Sequence, residues 1–468
     1  MAESWANYGI DLHLDLAGTR VRAGLEAGLR DAVRSGRLAP GTRLPSSRDL
    51  AADLRIARNT VADAYGQLVA EGWLTATTGS GTWVAERHVA TPGPRSTKDT
   101  APGQPRFDLR AGAPASTAFD RRHWLTAARA ALNAAPDDVL GYPDPRGLAE
   151  LRTALAGYLA RARGVVTSPE NIVICAGFAH GLALICRVLA ERGAKAVAIE
   201  AYGHQAHRSL IAAQRLAPVP LPVDASGATP AEAVLAQAGA VVLTPAHQFP
   251  LGMTLAPRRR TAFVDWAARN GGLIIEDDYD GEFRYDRQPV GALQALAPEH
   301  VVYAGTASKS LAPGLRLGWL AAPAGLADAV IAAKEGSGAH GSVLDQLTLA
   351  RLITSGGYDR QIRQARLSYR RRRDRLIGAL SQRSPGVRLA GIAAGLHAVA
   401  DLPRGYDEAE IVARAASHGV SVDGLSDYAA VKRDVHAALV IGYGRPAEHA
   451  FSTAVSRLCA ALAECRRD

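Results

Sequence analysis

Cysteine is scarce in this 468-residue chain: there are four, Cys175, Cys186, Cys459 and Cys465, with no CxxC pair and no Cys/His metal spacing. A disulfide framework and a structural metal are thereby excluded, and the four read as free thiols. No run of eighteen or more apolar residues occurs, so there is no candidate transmembrane helix. The N-terminus, MAESWANYGIDLHLDL, carries acids early and lacks a basic start followed by an apolar core, so it does not read as a secretory signal. Internal repeats are absent, as are low-complexity tracts beyond alanine richness. These absences point to a cytoplasmic protein with no membrane partner.

What is present is a net charge of +9, which invites a nucleic-acid reading. The total is a poor guide to place, because over residues 1–87 basic and acidic side chains cancel at about ten of each. DNA binding there has to rest on where individual arginines lie. The conspicuous basic run is elsewhere, in RLSYRRRRDRL (Arg366 to Leu376), and reads as a solvated helix face more than as a DNA contact. With 48% hydrophobic residues, the chain has core enough for two or three domains. HVATPGPRSTKDTAPGQPRF, residues 88–107, is rich in Pro, Gly, Ser and Thr and reads as an extended, semi-stiff linker. It separates residues 1–87 from residues 108–468. Within the latter, a large subdomain is expected at about 145–335 and a small one at about 336–468 plus 108–144.

Val21, Leu25, Leu29 and Val33 recur at a spacing of four and predict a first helix with one apolar stripe. In GRLAPGTRLPSSRDLAADL, Pro40-Gly41 marks a turn, and Ser46 or Ser47 can cap a short second helix. ARNTVADAYGQLVAEGW supplies a third, with Val61, Tyr65, Leu68 and Val69 inward and Gly72 as its stop. WLTATTGSGTWVA reads as two strands joined at a Gly-Ser-Gly tip. Three helices and a hairpin describe a winged helix-turn-helix. Arg43, Arg48 and Arg58, with Asn59 and Thr60, fall at or near the starts of the second and third helices. There, side chains enter the major groove and helix N-termini attract phosphate.

Past the linker, NIVICAG, AVAIEAY, AVVLTPA, GLIIEDDY, HVVYAGT and LGWLAAP read as buried strands. Helical segments such as GLALICRVLAERG and RRRTAFVDWAARNG lie between them. The alternation predicts a parallel sheet covered on both faces, with ligands bound beyond the carboxyl ends of the strands. Gly177, His204, Asp277 to Tyr279, and Thr306 to Lys309 all fall where strands stop. Lys309, in GTASKSLAPGLRLGW, is an amine between hydroxyls and becomes a nucleophile towards an aldehyde when its pKa is lowered. Thr306, Ser308 and Arg316 suit a phosphate. Asp277 can keep a ring nitrogen protonated, and Tyr279 can hydrogen-bond a phenolic oxygen. Gly177 opens a helix whose free N–H groups cradle an anion. Lysine, anion cradle and carboxylate together specify pyridoxal 5'-phosphate (PLP).

PGTRLPSSRDLAADLRIARNTVADAYGQLVAEGWL closely resembles the DNA-binding domain of the GntR family. The resemblance implies contacts to double-stranded DNA from Arg48, Arg58 and Thr60 and from the wing near Gly79. LGYPDPRGLAELRTALAGYLARARGV, TPAHQFPLGMTLAPRRR, IIEDDYDGEFRY and YAGTASKSLAPGLRLGWL resemble fold-type I aminotransferases. More narrowly, they resemble the aminotransferase-like half of the MocR/GabR regulators, and the likeness covers essentially the whole chain. It implies an α/β fold: a winged helix-turn-helix, then a mainly parallel central sheet with a smaller α+β subdomain. It further implies that Lys309 forms the internal aldimine, Asp277 pairs with the pyridine nitrogen and Tyr279 contacts the ring hydroxyl. Gly177, Phe178, Thr306, Ser308 and Arg316 would hold the phosphate. Tyr142 would reach the phosphate of a neighbouring subunit, which implies a homodimer.

Two stretches depart from that pattern. EAYGHQAHR puts Tyr202 in place of a proline and His204 where an aromatic residue stacks on the cofactor. Imidazole stacks more weakly and can titrate near neutrality. AALVIGYG has Val440 where a substrate-carboxylate arginine would fall, with Arg445 nearby but displaced. The reading that accounts for head, linker, cofactor residues and missing arginine is a PLP-binding transcriptional regulator. It would sense PLP, or an amine forming an aldimine with it. A working aminotransferase with a fused DNA-binding domain is the alternative, and a DNA-binding scaffold with an empty fold is a third. Val440 favours PLP itself as effector, with control of vitamin B6 synthesis; GABA or taurine catabolism is the runner-up.

Overall fold

A computed structural model of the chain describes residues 21–77, 80–86, 106–285, 290–338, 340–433 and 435–465. It divides into two compact units, Met1–Gly103 and Gln104–Asp468. Residues 88–105 of the expected linker, and Gly79 of the expected wing, lie outside the described residues. Phe107 belongs to the second unit. Its N–H donates to Gly419 O at 2.9 Å, and the strand Phe107–Asp108 pairs in parallel with Val420–Ser421.

In the first unit, the helix Val21–Arg34 buries Leu25, Leu29, Ala32 and Val33. Ser46 caps the helix Ser47–Leu54, its hydroxyl accepting from Asp49 N at 3.2 Å. The helix Arg58–Ala70 packs on both with Val61, Ala64, Tyr65 and Leu68 inward. Leu74–Thr77 and Gly81–Val84 form the hairpin. A third strand, Arg43–Leu44, pairs with Gly81–Val84. Arg43 thus stands four residues before the second helix, as expected, but in a strand that the sequence did not announce. Its Nη2 donates to Ser80 O at 3.1 Å, and its guanidinium lies over the Trp83 ring, 5.9 Å from the centroid. A two-residue strand has no period of its own and exists only through its partner.

The second unit is built on a seven-stranded sheet. Its order is Ile172–Cys175, Gly318–Ala321, Val301–Thr306, Leu273–Asp278, Ala240–Leu243, Ala196–Glu200, Ala217–Leu221. Side chains alternate between two covered faces. Val173 and Cys175 pack with Leu182, Ile185 and Leu326, while Ile172 and Ile174 pack with Leu151 and Leu155. Gly318–Ala321 runs antiparallel to both neighbours. Residues 307–317, which connect it to Val301–Thr306, are too few for a helical crossover, so the chain returns antiparallel. The sheet is therefore mainly, not wholly, parallel. Ala217–Leu221 escapes notice in the sequence because its two prolines mask the strand pattern; it is an edge strand, where proline is tolerated.

A second, four-stranded sheet runs Arg388–Ala390, His397–Asp401, Ala438–Gly442, Asp423–Gly424. The helices Glu408–Ser417 and Glu448–Glu464 and the long helix Gly357–Arg383 accompany it. Among the described residues, no helix is long and apolar enough to cross a membrane, and all four cysteines are buried and unbridged.

Candidate functional site

The parallel strands end on one edge of the sheet, and the polar residues there share one cavity of about 180 Å³. Gly177, Phe178, His204, Asp277, Tyr279, Thr306, Ser308, Lys309 and Arg316 all line it.

At one end is an anion cradle. The helix Phe178–Glu191 starts at Gly177, whose φ of 99° is a conformation that glycine adopts without strain. The N–H groups of its first turn have no helical acceptor. Arg316 also has a positive φ, 52°, and a Cβ at Gly177 would stand 3.7 Å from its Nη1. Thr306 Oγ1 donates to Ser308 Oγ at 2.9 Å and accepts from Ser308 N at 3.1 Å. Helix N-terminus, hydroxyls and guanidinium converge as a phosphate requires.

The other end holds the reactive groups. Lys309 Nζ donates to Gly112 O. Burial lowers the Lys309 pKa, opposed by the Asp277 and Asp280 carboxylates, and this enlarges the neutral, nucleophilic fraction of the amine. Asp277 is the last residue but one of its strand, with Oδ1 buried and without a hydrogen-bond partner. Burial pushes this carboxyl well above the usual range, with Lys309 pulling the other way. A buried carboxylate oxygen lacking a donor is costly, and a protonated ring nitrogen is the kind of partner that removes the cost. Amine, orphaned carboxylate oxygen and anion cradle therefore fit PLP.

His204 stacks on Phe249 with ring centroids 4.3 Å apart and planes 24° from parallel. Burial, together with Lys309 and Arg208, lowers its pKa to about 4. The expectation that it titrates near neutrality is thus corrected: desolvation disfavours the imidazolium. His207, beside it, is lowered to about 3 by burial and meets Phe178 edge-on at 4.9 Å. The Tyr279 hydroxyl lies 3.0 Å from His247 Nδ1, which in turn lies 2.8 Å from Asp280 Oδ2.

Val440 is fully buried in an apolar cluster with Ala111, Phe249, Val399 and Tyr428. Arg445 Nη1 is held by Asp108, which also pairs with Arg110 at 2.9 Å. Tyr142 is fully exposed and is not among the cavity residues of its own chain. In the first unit, Arg48 is exposed early in Ser47–Leu54. Arg58 and Asn59 are exposed in the first turn of Arg58–Ala70, with Thr60 half-buried behind them.

Several cavity residues escape sequence reasoning. Gly112 and His207 carry no local signal. Phe249 lies inside TPAHQFPLG, where its neighbourhood to His204 is invisible. Glu200 ends its strand fully buried, accepts from Thr244 Oγ1 and Gln248 Nε2, and is pushed up to about 7 by burial.

Residues 108–424 match the family described as aminotransferase class I and II, and residues 22–84 match bacterial regulatory proteins of the gntR family. The chain is 33% identical over 413 residues to the HTH-type pyridoxine biosynthesis transcriptional regulator PdxR of Corynebacterium glutamicum, covering 88% of this chain and 89% of that protein. It is 31% identical over 426 residues to the probable rhizopine catabolism regulatory protein MocR of Rhizobium meliloti, covering 85% of each. Among solved structures, kynurenine aminotransferase of Pyrococcus horikoshii matches with a TM-score of 0.69 at 25% identity, over 77% of this chain and 92% of that one.

Proposed function

This chain belongs to the MocR-type regulators, in which a GntR-family winged helix-turn-helix is fused to an aminotransferase class I and II domain, and we propose that it senses PLP. It is a DNA-binding transcriptional regulator. The observation that carries the sensing proposal is the orphaned Asp277 Oδ1 in the same cavity as the depressed amine of Lys309 and the cradle at Gly177. PLP, when bound, would supply an electrophilic carbonyl carbon. Lys309 would present its amine there, and Asp277 would hold a proton on the ring nitrogen. Gly177, Thr306, Ser308 and Arg316 would bind the phosphate, and the His204–Phe249 pair would exclude water from the ring.

Among the described residues, Arg316 is the arginine that lines the cavity, and it lies at the anion cradle. Val440 is apolar and buried, and Arg445 is engaged by Asp108. This supports an effector without a carboxylate, PLP itself, and control of vitamin B6 synthesis. The name of the Corynebacterium relative, a pyridoxine biosynthesis regulator, accords with that choice. Tyr142, exposed on a loop, is proposed to reach the cradle of a second subunit in a homodimer.

The test is direct. Purified protein loaded with PLP should show a visible absorption band that borohydride bleaches, and Lys309→Ala should lose it. Titration of DNA from the region upstream of its own gene should respond to PLP and not to pyridoxal or amines alone. A protein that cannot be loaded sinks the proposal, and robust turnover of amino acids with keto acids would replace it with an aminotransferase.

A further inference from the structure

The long helix Gly357–Arg383 holds nine arginines and two aspartates, a surplus of seven positive charges. Residues 108–468 as a whole hold 41 Lys and Arg against 34 Asp and Glu, the same surplus, and residues 1–87 hold ten of each sign. The positive charge of the effector unit is thus concentrated in one helix.

The two sides of that helix use arginine differently. On the inward side, Arg372 is buried, donates to the carbonyls of Tyr443, Gly444 and Pro446, and pairs with Glu448 at 2.9 Å. Arg375 pairs with the same glutamate, and Arg366 donates to Glu282 O. On the outward side, Arg360, Arg363, Arg370 and Arg371 are exposed. None of their guanidinium groups has an ion pair or hydrogen bond among the described residues. Their spacing puts them on one face, with Leu367, 59% exposed, between them. Asp359, at the start of the row, is taken by Arg161 at 2.9 Å, and Asp374 closes the row.

Arg360 and Arg363, three residues apart, oppose each other on the helix, and Arg370 and Arg371 stand together two turns on; a bound anion would relieve both groups. Arginine forks match phosphate oxygens. From Arg360 to Arg371 the row spans about 16 Å, the axial length of about five base pairs.

We propose that this face is a second DNA contact, a sequence-independent seat for the phosphate backbone of the duplex that the head reads. The proposal rests on the regulator reading, and its failure can be told apart from the failure of that reading.

The experiment uses the full-length protein and DNA from upstream of its own gene, as a long duplex and as one trimmed to the footprint of the head. A variant with Arg360, Arg363, Arg370 and Arg371 all changed to Gln is compared with one in which all four are changed to Lys. On the long duplex, the Gln variant should lower the steepness of the salt dependence by about 0.9 for each phosphate it no longer neutralises, and weaken binding by at least about tenfold. The Lys variant should retain both, and the trimmed duplex should bind all three proteins alike. Wild-type affinity and slope for the Gln variant on the long duplex would overturn the proposal. A Lys variant as weak as the Gln variant would overturn it too, since the loss would then not be electrostatic. Arg58→Ala, weakening both duplexes, keeps the regulator reading standing whichever way the helix behaves.

Discussion

The His204 imidazole lies face to face with the Phe249 ring, 4.3 Å between centroids, and is held neutral by its own burial. With its pKa lowered to about 4, the native protein refuses a proton that the unfolded chain accepts below about 6.5. Stability contributed at this residue is therefore complete above about pH 7 and declines as pH falls from about 6.5 towards 4. His204→Phe keeps the stack and removes the titration. Relative to that variant, the wild type should lose about 2 kcal/mol between pH 7.5 and pH 5, read from urea unfolding at each pH. A difference that does not change with pH would refute the neutral, buried imidazole.

Asp277→Asn should act in opposite directions on two measurements. In PLP-free protein it removes a buried carboxylate with an orphaned oxygen, so the melting temperature should hold or rise. With PLP, the ring nitrogen loses its charged partner, and affinity should fall by a factor on the order of 10 to 100. Thermal melts and a cofactor titration separate the two.

Gly318→Ala places a Cβ 2.7 Å from Gly177 Cα, backbone against backbone, directly behind the anion cradle. Such overpacking costs about 1–3 kcal/mol. PLP affinity should fall with the melting temperature, because Gly177 cannot move without turning the first N–H groups of its helix.

Arg58→Ala should weaken specific operator binding by about 1–3 kcal/mol at fixed salt, without lowering the melting temperature of the head, because Arg58 is exposed in the first turn of its helix. Arg43→Ala should do the reverse in part. It should loosen the hairpin that Arg43 ties at Ser80 and Trp83, and lower the melting temperature. Equal effects of the two on operator affinity at unchanged stability would place the reading residue elsewhere.

Much of the site was legible because its signals are local. Gly177 and Lys309 follow apolar strands and Asp277 stands near the end of one, and the chemistry of each residue type names its task. The strand Gly318–Ala321 was also legible as a strand; its reversed direction followed only from the short connection that carries Lys309. The strand at Arg43 was illegible for the opposite reason. Arg43 was expected near the start of the second helix, where it does stand, but its strand depends on a partner 40 residues on, Trp83.

The sequence by itself determined two units, a winged head, an α/β effector and a set of polar strand ends, because apolar period, caps and turns are written within a few residues of where they act. The tertiary structure alone decided that Lys309 bonds Gly112, 197 residues away in sequence, that Asp277 Oδ1 is left without a donor, and that His204 is neutral. It likewise decided which arginines of Gly357–Arg383 are spent within the fold and which are not. Burial and partnership depend on what distant segments bring to a place, and no local pattern carries that information.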